Sequence, residues 1–144
     1  MKEITSTIDI EATPQRVWEI VTNFAAYPEW NPFIRRANGR PEAGAQLEVR
    51  IEPPGGRAMT FKPTVVEAES ERELRWLGHL MLPRIFDGEH SFRIEPLDDT
   101  RVRFVQAERF TGVLVPLFGK TLEQTRRGFE QMNQALKSRA EAPA

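Results

Sequence analysis

The sequence predicts an α+β fold, with helices packed on an antiparallel sheet. Three observations carry this. Ile4, Ser6, Ile8 and Ile10 alternate with polar residues, the period of a half-buried strand. Short runs with the same alternation recur between residues 33 and 110. From about Pro116 to Arg139 the period becomes helical: Phe118, Leu122, Thr125, Phe129, Met132 and Leu136 share one stripe, while Lys120, Glu123, Arg126, Arg127, Glu130 and Lys137 fall mostly elsewhere. Strands that come in a run, with helices segregated from them, build helices onto an antiparallel sheet.

The elements follow in order. After the first strand, Thr13 is a candidate N-cap and Pro14 takes the first helical position. Val17, Trp18, Ile20, Val21 and Phe24 form the buried side of that helix. Tyr27-Pro28-Glu29-Trp30-Asn31-Pro32 is a proline-broken bend with room for one short helical turn. Residues 33–38 read as a short strand, and Leu47, Val49 and Ile51 mark the next. Pro53-Pro54-Gly55-Gly56 is a turn into a strand marked by Met59, Phe61, Pro63 and Val65, with Pro63 at an edge or bulge. Leu74, Trp76 and Gly78 mark another strand, and Leu80 to Asp87 a longer loop. His90, Phe92 and Ile94 lead to a turn at residues 97–99 and the strand of residues 102–110. Residues 141–144 are expected to fray.

The chain of 144 residues fits one domain, residues 1–144, with a core large enough to need no staples. It has no cysteine, which removes disulfides and thiolate metal sites. Twenty basic residues against twenty-one acidic ones leave a net charge of −1, so there is no electrostatic footprint for nucleic acid. The polar, alternating N-terminus is unlike a signal peptide. The apolar stretch Val113 to Phe118 is too short to span a bilayer. A cytoplasmic protein, monomer or homodimer, without cofactor or metal is the expectation.

The strand of residues 102–110 is the most informative segment for function. Val102, Phe104, Gln106, Glu108 and Phe110 share one face, so an amide and a carboxylate interrupt an apolar row. Buried without partners, they would cost several kcal/mol. A polar pair in an apolar wall is what a ligand cavity requires. A three-residue turn at 97–99 would pair His90 with Gln106 and set Glu108 diagonal to His90, so all three would converge on one patch.

Other candidates are weighed in the same way. Trp76 suits a pocket wall with one polar contact. Phe92, Phe104 and Phe110 line the same strands, and Phe129 and Asn133 face them from the long helix, four residues apart. Met59 and Phe61 read as core. Trp30-Asn31-Pro32-Phe33 reads as structural, with Asn31-Pro32 shaping a turn. The apolar loops 80–86 and 113–118 read as a pocket mouth, with a loop folded over the core or a dimer contact as the alternative. Catalytic signatures are sparse. His79 and His90 are the only histidines, no zinc motif is present, and Ser91 points away from His90. His90 with Glu108 is the one acid–base pair that can be nominated.

Ile8-x-Ile10-x-Ala12-x-Pro14-x-x-Val17-Trp18, Tyr27-Pro28-x-Trp30-Asn31-Pro32-Phe33, Leu74-Arg75-Trp76-Leu77-Gly78 and Phe86-Asp87-Gly88-Glu89-His90-x-Phe92 together resemble the START-like helix-grip superfamily. So do Gln106-x-Glu108-x-Phe110-x-Gly112 and Gly128-Phe129-x-x-Met132-Asn133-x-Ala135-Leu136-Lys137. The nearest branch is similar to the bacterial SRPBCC proteins, the polyketide cyclase/dehydrase and lipid-transport group. The resemblance implies a curved antiparallel sheet of about seven strands gripping the C-terminal helix around a ligand cavity. The expected function is binding or transport of a small hydrophobic molecule (lipid, isoprenoid or aromatic polyketide-like), with transient membrane contact in reach. Two alternatives stand beside it: an aromatase/cyclase-type enzyme using His90 and Glu108, and a co-chaperone-type interaction module. Fold alone does not choose among them.

Overall fold

The computed structural model describes residues 1–80 and 83–143, without the side chain of Leu80. Strand β1 spans Lys2–Ile10. Helix α1, Pro14–Thr22, follows, and the Thr13 hydroxyl caps it by accepting from the Arg16 N–H at 3.1 Å. A 3-10 turn, Phe24–Ala26, and the one-turn helix α2, Tyr27–Trp30, complete the first helical segment. Asn31 stops it, because its Oδ1 accepts from the N–H groups of Phe33 and Ile34 at 2.9 and 2.8 Å. The strands are β2 Ile34–Asn38, β3 Glu48–Ile51, β4 Met59–Phe61, β5 Thr64–Glu69, β6 Glu73–Leu80, β7 Phe86–Asp98 and β8 Arg101–Thr111. A second 3-10 turn, Val115–Phe118, leads into helix α3, Gly119–Glu141.

The strands form a five-stranded sheet ordered β1-β8-β7-β6-β5 and a three-stranded sheet ordered β2-β3-β4, with every ladder antiparallel. The expected single strand through Pro63 is broken there. Proline has no N–H for a ladder, and the chain passes from β4 in one sheet to β5 in the other. Backbone bonds between residues 44–47 and 63–65 join the two sheets: Gly44 N–H to Val65 O, Val65 N–H to Ala45 O and Leu47 N–H to Pro63 O, each 2.8 Å.

Helix α3 lies across β1 with Leu122, Thr125, Gly128, Phe129, Met132, Asn133, Leu136 and Ala140 buried, the stripe the sequence predicts. It begins three residues after Pro116, since residues 115–118 wind more tightly, and it runs on past Arg139. Glu141 is anchored: its carboxylate accepts from the Glu11 N–H at 2.8 Å and takes Lys137 Nζ at 2.7 Å.

The β7–β8 hairpin corrects the predicted register. The turn holds two residues, Asp99 and Thr100, with a bulge between Pro96 and Asp98. His90 therefore sits opposite Glu108, and Phe92 opposite Gln106. The slip is two residues, so the faces are preserved. Asp98 supplies the reason for the tighter turn, since its Oδ1 accepts from the Thr100 N–H at 2.8 Å and its Oδ2 from Arg101 Nε at 2.9 Å. The Thr100 N–H foremost, then the side chains of Arg101 and Thr100, hold the Asp98 carboxyl down at about 2. A carboxyl depressed in the folded state adds stability that is complete above its unfolded value and is lost as pH falls through the folded one. Asp98→Ala is expected to lower the unfolding temperature at about pH 6, with the gap to the parent closing toward about pH 2. Carboxyl-carbon NMR of Asp98 should show the matching midpoint; an ordinary midpoint near 4 would refute the turn as drawn.

Candidate functional site: an apolar cleft with a buried polar chain

A cleft opens between the two sheets and the start of α3. Phe33, Ile34, Val49, Ile51, Met59 and Phe61 line one side. Trp76, Gly78, Phe86, Gly88, His90, Glu108 and Phe110 line the other, and Thr121, Leu122 and Thr125 close the end. The cleft has a volume of about 80 Å³. Gly78 and Gly88 face each other across the β6–β7 ladder, so the floor there is bare backbone. A Cβ at Gly88 would lie 2.3 Å from Glu108 Oε2, so the glycine makes room for that carboxylate.

Four of the predicted site residues line the cleft: Trp76, His90, Glu108 and Phe110. Phe92, Phe104, Gln106, Phe129 and Asn133 do not. They are buried in the layer behind the wall, because α3 closes directly onto the inner face of β7 and β8. Reading the sequence had assigned Met59 and Phe61 to the core and Phe33 to a structural turn, and all three line the cleft. Strand parity could not reveal this, since Met59 and Phe61 belong to the second sheet and Phe33 lies in the bend before β2. His79, though also at the cleft, bonds Asp87 through Nδ1 at 2.7 Å.

His90 is the hub of the polar groups. It is 4% exposed, with Trp76, Phe92 and Phe129 at ring-centroid distances of 5.3, 4.6 and 4.9 Å. Its Nδ1 faces Glu108 Oε1 at 3.4 Å, and its Nε2 donates to Gln106 Oε1 at 3.0 Å. Gln106 Nε2 donates to Asn133 Oδ1 at 2.8 Å, and Asn133 Nδ2 to Ser6 Oγ at 3.1 Å. The chain of bonds thus runs from the cleft wall through the core to β1. Gln106 is therefore the partner of His90 and Asn133 the partner of Gln106, and neither lines the cleft. Burial within a satisfied network fixes the ring's orientation. Glu108 keeps 17% of its side chain exposed. Among the described lining residues it is the one carboxylate, in a mostly apolar wall whose other polar side chains are His79, His90, Thr121 and Thr125.

The two apolar loops meet each other, and of their described residues Phe86 lines the cleft. Val113 and Leu114 donate backbone N–H groups to Arg84 O and Ile85 O at 3.2 and 3.1 Å. Gly112, at φ +125°, permits this approach, since a Cβ there would meet Ile85 O at 2.4 Å. Phe86 packs on Phe110 and Phe118, while Val113 and Leu117 are 73% and 77% exposed. Met81 and Leu82, which the sequence reading placed at the mouth, lie outside the described residues, as does Ala144 of the predicted tail. Among the described residues no helix is long and apolar enough to cross a membrane.

Solved structures share this fold over nearly the whole chain. A START superfamily protein from Mycobacterium smegmatis matches with a TM-score of 0.75 at 23% identity, covering 96% of this chain and 97% of that one. The Zhui aromatase/cyclase from Streptomyces sp. R1128 matches at 0.78 and 17% identity, covering 97% and 93%. A norcoclaurine synthase from Thalictrum flavum, in complex with a transition-state analogue, matches at 0.71 and 14% identity, covering 96% and 93%. No curated protein matches the sequence. The family model described as polyketide cyclase / dehydrase and lipid transport matches residues 1–141, and the chain belongs to that family.

Proposed function

We propose that this protein binds a compact, mostly apolar ring compound in the cleft, with a hydroxyl or carbonyl of the ligand set against Glu108 and His90. The observation that carries this is the single carboxylate in a mostly apolar, aromatic-rich wall, backed by a histidine whose ring cannot turn. Size selects among ligand classes. A cleft of about 80 Å³ is well below the roughly 300–1,000 Å³ of drug-sized ligand pockets, which favours a compact ring over a long acyl chain. The bare strip at Gly78 and Gly88 gives a flat ring van der Waals contact with backbone, and Trp76, Phe86 and Phe110 supply aromatic edges and faces around it.

The test is titration calorimetry with 2-naphthol and with palmitate. Saturable 1:1 binding of 2-naphthol, weakened about tenfold by Glu108→Gln, is expected, since a hydrogen bond to a charged group contributes about 1.5–3 kcal/mol. Gly78→Ala should weaken it as well while leaving the fold intact, because its Cβ would meet Pro63 only at an ordinary 3.6 Å. Tight palmitate binding with none of 2-naphthol would overturn the proposal.

A second reading, a proton-transfer enzyme of the cyclase type, is favoured by the 3.4 Å approach of His90 Nδ1 to Glu108. It separates from simple binding if Glu108→Gln abolishes turnover of an enolisable aromatic ketone while retaining its binding.

A further inference from the structure

The polar chain behind the cleft can be satisfied in two directions. In the direction described above, Ser6 Oγ accepts from Asn133, Asn133 Oδ1 accepts from Gln106, and Gln106 Oε1 accepts from His90 Nε2. His90 Nε2 must then carry a proton. Its Nδ1 lies 3.4 Å from Glu108 Oε1, and two lone pairs would face each other there unless one further proton sits on Nδ1 or on Glu108. In the opposite direction, the Ser6 hydroxyl donates to Asn133 Oδ1 and Asn133 Nδ2 donates to Gln106 Oε1. Gln106 Nε2 then donates to a bare His90 Nε2, and His90 Nδ1–H donates to the Glu108 carboxylate. Each of the four links is again a donor–acceptor pair. The two directions have the same heavy-atom positions, since amide O and N exchange by a half-turn. They differ by one proton on the His90–Glu108 pair.

We propose that Gln106, Asn133 and Ser6 form a reversible hydrogen-bond relay whose direction follows a single proton on the His90–Glu108 pair. With the proton bound, the ring donates from Nε2 to Gln106 and a proton bridges Nδ1 and Glu108. When it leaves, one N–H bond of the ring is lost to water or to a basic ligand atom. The remaining ring proton settles on Nδ1, where it still bridges to Glu108, both amides turn over, and Nε2 changes from donor to acceptor. Gln106 and Asn133 are thus positioning residues that act through His90 and decide which of its nitrogens holds the proton.

The surroundings isolate this equilibrium. Among the described residues, β8 places Glu108 against the ring as its one charged neighbour. Strand β6 places Trp76 there, α3 places Phe129, and β7 itself places Phe92, none of them titrating near neutrality. His79 also lines the cleft, where its Nδ1 pairs with Asp87 Oδ1 at 2.7 Å, three ladder positions along β6–β7 from the His90–Trp76 pair. The relay also links the cleft to the β1–α3 seam, because Ser6 lies on β1 and Asn133 on α3.

The experiment is two-bond proton–nitrogen NMR of the His90 ring across its titration, with His79→Gln assigning the signals and no ligand present. The neutral ring is expected as the Nδ1–H tautomer, with a new contact between the Gln106 amide protons and the ring proton beside Nε2. A neutral ring that stays Nε2–H throughout would overturn the relay. Asn133→Asp, an acceptor only, is expected to force Gln106 Oε1 toward His90 and hold the neutral ring as Nε2–H. A folded Asn133→Asp that keeps Nδ1–H would also overturn it. Should that variant not fold, Gln106→Glu imposes the same acceptor on Nε2 and is read in the same way. Because no ligand enters the measurement, its outcome is separate from that of the binding titration.

Discussion

Gln106→Ala is expected to destabilise the protein by about 3–5 kcal/mol, because it strands two buried partners at once. The amide accepts from His90 Nε2 at 3.0 Å and donates to Asn133 Oδ1 at 2.8 Å, and Gln106 is fully buried. Each buried group left unpaired costs about 1–3 kcal/mol, and the vacated volume adds a cavity cost. Gln106→Leu fills the volume but strands the same partners, so most of the loss should remain. Pairing it with Asn133→Leu removes one stranded group. The double variant should therefore be less damaging than the sum of the singles by about 1 kcal/mol or more. Urea unfolding of the four proteins checks this. Strict additivity would mean that the two amides do not act as a unit.

Gly128→Ala is expected to cost a net ~1–2 kcal/mol, with about 2–3 kcal/mol of overpacking partly offset by the about 1 kcal/mol better helix propensity of alanine. A Cβ at this position would lie 2.3, 2.6 and 3.1 Å from three atoms of the Phe33 ring. Phe33 is 1% exposed and packed edge-on against Phe129 at 5.6 Å, so it can yield only toward the cleft it lines. Either helix α3 lifts from the turn that carries Phe33, or the ring swings into the cleft. The measurable consequence is a fall in unfolding temperature of about 2–8 °C, at about 2–4 °C per kcal/mol for a domain near this size. Restoring space with Phe33→Leu in the same chain should recover part of it. An unchanged or raised unfolding temperature for Gly128→Ala alone would contradict the packing of α3 on Phe33.

The period of the apolar residues determined most of the architecture directly. Two-residue alternation can be buried only as a strand, and the stripe from Leu122 to Leu136 only as a helix face. The Thr13 cap and the Asn31 turn were equally legible, since each needs only atoms a few residues away. The same parity rule put His90, Gln106 and Glu108 on one face, and it survived a hairpin register wrong by two residues, because a shift of two leaves every face unchanged.

What the sequence could not decide was depth. Gln106 and Glu108 look alike along β8, two polar residues in an apolar row. Yet one is sealed under α3 and the other opens on the cleft. That difference depends on how far the helix reaches along the sheet, a distance set by packing between segments remote in the chain. For the same reason Phe33, Met59 and Phe61 emerged as cleft walls only in three dimensions. The chain leaves one sheet at Pro63 and enters the other, and the space between the sheets has no signature within either of them. Local periodicity encodes which face a side chain takes, and only the assembled layers decide whether that face meets core or cavity.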